Sequence, residues 1–67
     1  MSLAPGDLVQ YRHDPGRLAI IVNVDTTSTG AEVCELVIVY DKAHADTVGE
    51  KRYTNQDYWI KIPQKPI

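Results

Sequence analysis

Short runs of β-branched, aliphatic and aromatic residues alternate with polar segments along this chain, and the character changes about every ten positions. Pro5-Gly6-Asp7 reads as an opening turn ahead of a first strand over residues 8–13. Asp14-Pro15-Gly16-Arg17 is the strongest turn signal, because proline presets φ and glycine permits a positive φ directly after it. A continuous apolar run over 18–24 predicts the second strand, and 25–30 a polar hairpin loop. The third strand falls over 33–40, a second polar loop over 41–47, and a weaker fourth strand over 48–53. Thr54-Asn55-Gln56-Asp57 suits a single helical turn, since such side chains bond readily to nearby backbone. The last strand covers 58–62 and is ended by Pro63. No window sustains the 3.6-residue apolar repeat of a globular helix.

Five short strands with one helical turn before the last describe an all-β domain, a small SH3-like barrel. It spans residues 5–62, with an N-terminal extension over 1–4 and an extended tail over 63–67.

Side chains on a strand alternate between faces. On the third strand Cys34, Leu36, Ile38 and Tyr40 form one set, expected to face the interior, which turns Val37 and Val39 outward. On the second strand Leu18, Ile20 and Val22 are expected inside, which leaves Ala19 and Ile21 outside. If these strands pair, Ala19, Ile21, Val37 and Val39 make an external apolar patch. Monomers rarely leave a sizeable contiguous apolar patch exposed. The expected partner is therefore a second copy of the chain or another protein, with coverage by either terminus as the alternative.

Length bears on the same point. Sixty-seven residues allow one domain and little room for a pocket between layers. Domains this small usually gain stability from disulfides, metals or partner subunits. The single cysteine, Cys34, excludes an intrachain disulfide and sits in an apolar run, where a buried structural thiol is expected. No segment approaches the roughly 20 apolar residues that span a bilayer. Met1-Ser2-Leu3 lacks the basic and apolar regions of a secretory signal. The expected location is the cytoplasm, or the host cytoplasm or virion for a viral protein.

Charge and motifs exclude most chemistry. Seven basic and nine acidic side chains leave a formal charge of −2, which argues against a general nucleic-acid binder. His13-Asp14 has the elements of an acid–base pair but no nucleophile or pocket beside it. Asp41, His44 and Asp46 share one loop, yet no second histidine or cysteine pair reinforces a metal site. The four glycines are isolated, so no loop is built to cradle phosphate. No catalytic residue, metal or cofactor is expected. The alternative surface is Tyr11, Arg12, Arg17, Arg52 and Trp59, since aromatics interleaved with cations bind single-stranded nucleic acid. Asp7, Asp14, Asp46, Glu50 and Asp57 lie beside these and neighbouring cations in sequence, and aromatics are also natural filling for a tiny core.

Pro5-Gly6-Asp7-Leu8-Val9, followed after a turn by Leu18-Ala19-Ile20-Ile21-Val22, resembles the opening of many SH3-like barrel proteins. Residues 53–60, Tyr-Thr-Asn-Gln-Asp-Tyr-Trp-Ile, look like their helical turn and final strand. The pattern is similar to small uncharacterised barrels encoded by tailed bacteriophages and marine viruses. More loosely, it resembles the stromal barrel subunit of photosystem I and the KOW-type barrels of transcription and ribosomal proteins. KOW-type barrels usually carry a glycine near the start of the second strand, where this chain has Ala19. None of these resemblances carries over a catalytic residue. Together they imply a non-enzymatic interaction or assembly module, phage-encoded in the first case and nucleic-acid-associated in the KOW case.

Overall fold

Branched side chains stiffen χ1 and suit a pleated, half-buried surface, and the two segments richest in them are the two longest strands. In the computed structural model, which describes residues 3–63, the strands are β1 (Leu8–Tyr11), β2 (Asp14–Thr26), β3 (Glu32–Asp41), β4 (Lys51–Asn55) and β5 (Trp59–Lys61). Short 3-10 turns cover Ala45–Thr47 and Gln56–Tyr58. Every pairing is antiparallel, in one sheet of order β4-β3-β2-β1-β5. A meander whose last strand returns to pair with the first, through a helical turn, is the SH3-like arrangement that the spacing predicted. The second 3-10 turn begins as expected for its residues: the Asn55 side chain accepts from the Asp57 amide and caps it. Met1, Ser2 and the tail beyond Pro63 lie outside the described residues.

Several boundaries differ from the sequence reading. The first reversal falls at Arg12 and His13, and Asp14-Pro15-Gly16-Arg17 already belongs to β2. Tyr11 stands opposite Asp14 while Gln10 stands opposite Leu18, so Pro15, Gly16 and Arg17 bulge out of the β1–β2 ladder. Asp14 Oδ1 accepts the Gly16 amide at 3.0 Å, a local turn inside a strand. Glycine is needed here for space, since a Cβ at Gly16 would lie 3.0 Å from Lys42 Cβ. The fourth strand runs over Lys51–Asn55, later than expected.

The core is Leu3, Val9, Ala19, Ile21, Cys34, Leu36, Ile38 and Trp59, with Tyr11 and Val24 packed against it. Cys34, Leu36 and Ile38 point inward as their alternation required. The second strand is inverted relative to expectation: Ala19 and Ile21 are buried, whereas Ile20 and Val22 are 40% and 44% exposed and Leu18 is only half-buried. Both faces of the 18–24 run are apolar, so its periodicity has no sign; register supplies it. Ala19 lies between Val9 on β1 and Ile38 on β3, both inward, and Ile21 lies opposite Leu36. Val22 is then an extra residue between Ile21 and Asn23, and this bulge returns Val24 to the inner face.

A second bulge corrects Tyr40. Leu18 pairs with Tyr40 and Ala19 with Ile38, so Val39 is skipped and the alternation of β3 reverses. Tyr40 turns outward and is half exposed, and Asp41 takes the inner position at 2% exposure. Leu3, expected in an extension, is a core residue. Its amide donates to Gln56 Oε1 at 3.3 Å, and Gln56 Nε2 donates to the Val33 carbonyl at 2.9 Å. The Gln56 amide thereby joins the N-terminal segment, the last helical turn and β3.

Candidate association surface

The outer face of the sheet follows from the same registers. Leu8, Ile20 and Val37 stand opposite one another on β1, β2 and β3. In the next outward row Ile60, Gln10, Leu18 and Tyr40 are neighbours across β5, β1, β2 and β3. Val22 and Val39 sit at the two bulges. Of these, Ile20, Val22, Val39, Tyr40 and Ile60 are each between 39% and 50% exposed, and Leu8, Leu18 and Val37 are half-buried. A contiguous apolar strip therefore crosses the outside of the sheet. Of the four residues expected on it, Val37 and Val39 are there. Ala19 and Ile21 are interior and cannot meet a partner, and Ile20 and Val22 take their places.

Polar groups border the strip. Asn23 and Glu35 are paired across β2 and β3 at the hairpin end, with Tyr53 opposite Glu35 on β4. Lys51, opposite Val37, lies 3.7 Å from Glu35. Beyond Ile21, β2 has no strand partner on its β1 side among the described residues. The amides of Val24 and Thr26 are instead accepted by the preceding side chains, Asn23 Oδ1 at 3.0 Å and Asp25 Oδ1 at 2.8 Å. Occupied amides blunt this edge against strand addition, so the face is the more available surface.

The alternative nucleic-acid set is only partly gathered. Tyr11 and Trp59 pack at 5.1 Å between centroids, and the Arg17 guanidinium lies 5.3 Å from the Tyr11 ring centre. Trp59 is 5% exposed, so its ring is core filling and offers no stacking face. Its Nε1 is buried without a partner in the described structure. Arg17 Nε donates to Asp41 Oδ2 at 2.9 Å. Arg52 is on β4, away from this cluster in the sheet order, and pairs with Glu50 at 3.2 Å. Lys61 pairs with Asp7 at 3.5 Å. Arg12 and Lys42 make no ion pair among the described residues.

Asp41, weighed as a metal ligand in sequence, is a structural carboxylate. Its Oδ2 accepts from Arg17 and from Thr47 Oγ1, and its Oδ1 accepts the amides of Ala43 and His44. Burial pushes its carboxyl pKa up, but the Arg17, His44 and Thr47 hydrogen bonds and the Arg17 charge outweigh that and hold it below the usual range. No group of three or more His, Cys, Asp or Glu side chains is placed to hold a metal among the described residues. Cys34 is buried, and desolvation raises its thiol pKa and so disfavours the thiolate. His13 packs edge-on to Tyr11 at 5.6 Å and lies 6.2 Å from Tyr58. No helix among the described residues is long and apolar enough to cross a membrane.

Comparison with protein-family models, characterised proteins and solved structures finds no match to this chain.

Proposed function

We propose that the protein is a non-enzymatic assembly module that self-associates through the outer face of β2 and β3. The observation that supports this is the strip of Ile20, Val22, Val37, Val39 and Tyr40, contiguous across two strands and exposed at most of its positions. A small domain has a limited interior, and burying a second face against a copy of itself stabilises it. The similarity of the sequence pattern to small uncharacterised barrels of tailed bacteriophages and marine viruses is the ground for including a phage-encoded origin, in host cytoplasm or virion, in this proposal. The nucleic-acid reading has less behind it, because Arg17 and Arg52 are engaged by carboxylates and Trp59 is buried.

Sedimentation velocity across a concentration series tests the proposal. The expected result is a mass that rises with concentration and returns to that of a monomer in Val37→Asp, with unchanged far-ultraviolet dichroism. A wild-type protein that stays monomeric at tens of micromolar would rule self-association out.

A further inference from the structure

We infer that the second copy docks face to face with its strands antiparallel, so that Lys42 of each protomer meets Asp25 of the other. This rests on the self-association reading and adds which way round the copies sit and which charges decide it.

The two ends of the strip carry opposite charge. At the end of β3 away from the β2–β3 hairpin, the Lys42 amide donates to the Gly16 carbonyl at 3.0 Å, which carries the ladder one step past the inward Asp41 and puts Lys42 on the outer side. Its aliphatic stem lies across Gly16, where a Cβ would meet Lys42 Cβ at 3.0 Å and Cδ at 3.9 Å. Lys42 has no carboxylate in ion-pair range among the described residues. Nearby Asp14 is turned to the Gly16 amide. At the hairpin end Asp25, next to the inward Val24, lies on the same side; one carboxylate oxygen accepts the Thr26 amide at 2.8 Å, and the group has no ion-pair partner among the described residues. Glu35 lies close by and is offset by Lys51.

A two-fold interface brings residue i against j and j against i. Two face-to-face arrangements are open to a sheet. One lays hairpin end over hairpin end and sets Asp25 against Asp25 and Lys42 against Lys42. The other reverses the strands and sets Asp25 against Lys42 twice. Like charges across an interface are costly and opposite charges fix register. Geometry favours the same choice: with Val22 an extra residue, Gly16, beside the Lys42 stem, and Asp25 each lie four ladder steps from Ile20 on β2. A two-fold at that level places Ile20, Val22 and Val37 at the centre and the charges at the rim.

Charge reversal with sedimentation velocity tests this. Asp25→Lys and Lys42→Glu alone should each raise the dimer dissociation constant about fivefold, as two rim pairs are lost. The double variant should return to within about twofold of wild type. Asp25→Asn keeps the oxygen that accepts the Thr26 amide and removes only the charge, so it should show a smaller rise in the same direction. Single reversals without effect, or a double variant weaker than either single, would overturn the orientation while Val37→Asp still dissociates the dimer. A mixture of wild type and Asp25→Lys that pairs more tightly than either alone would establish hairpin end over hairpin end instead. If Val37→Asp does not change the mass, the association reading itself fails.

Discussion

Asp41 gathers the Arg17 side chain and three loop groups around a single buried carboxylate. A carboxylate in the interior persists only when donors replace water, and four donors converge on it. Because its folded pKa is lowered, its stabilisation is fully present above the ordinary carboxylate value near 4. It is lost as pH falls through the lowered value. Asp41→Asn should therefore have a lower urea midpoint than wild type at pH 7, and the gap should narrow on going to pH 2. A constant gap would mean that the charge contributes nothing. Gly16 makes a different single-residue point. Gly16→Ala would press on Lys42 Cβ at 3.0 Å, and should cost about 1 kcal/mol in chemical denaturation. The Asp41 loop was legible as polar, but the Asp41–Arg17 pairing spans 24 positions and leaves no local mark.

At the scale of elements, β2 decides what the molecule shows to solvent. Its two faces differ little in composition, so their assignment is best tested in pairs. Ile21→Ala should cost about 2–4 kcal/mol, as for an aliphatic side chain removed from a filled core. Ile20→Ala, one position away and 40% exposed, should cost less than about 1 kcal/mol in the monomer. Equal losses would show that both faces are buried. The last helical turn was readable from Thr54-Asn55-Gln56-Asp57, but the work of Gln56 was not, because its partners Leu3 and Val33 are remote in sequence. Gln56→Leu strands an amide and a carbonyl and should cost about 1–3 kcal/mol, measured by urea unfolding with an unchanged m-value.

For the whole molecule, the proposed self-association would link stability to concentration. A partner that binds only the folded state raises the melting temperature with concentration. Wild-type protein should accordingly melt higher at high than at low micromolar concentration, and Val37→Asp should melt at one temperature throughout. The proposed dimer makes a prediction for salt as well: rim charge pairs are screened, so added salt should weaken it modestly, with the apolar centre as the main source of its stability. A steep loss, of the kind seen when many phosphate contacts are broken, is not expected of this surface.

Strand number, the all-β class and the helical turn before the last strand follow from the sequence, because turn residues and branched side chains act locally. The sets that share a face on β3 up to Ile38 follow from it too, since alternation is a property of extended backbone. Which face of β2 points inward was beyond it: Leu18, Ile20 and Val22 look the better core, yet Ala19 and Ile21 fill it. That choice belongs to tertiary structure. Register against inward Val9, Ile38 and Leu36 sets it, and the bulges at Val22 and Val39 exchange the faces only beyond that stretch. The outward apolar excess was visible in the chain, whereas the identity of the residues that carry it was settled only when three strands were laid side by side.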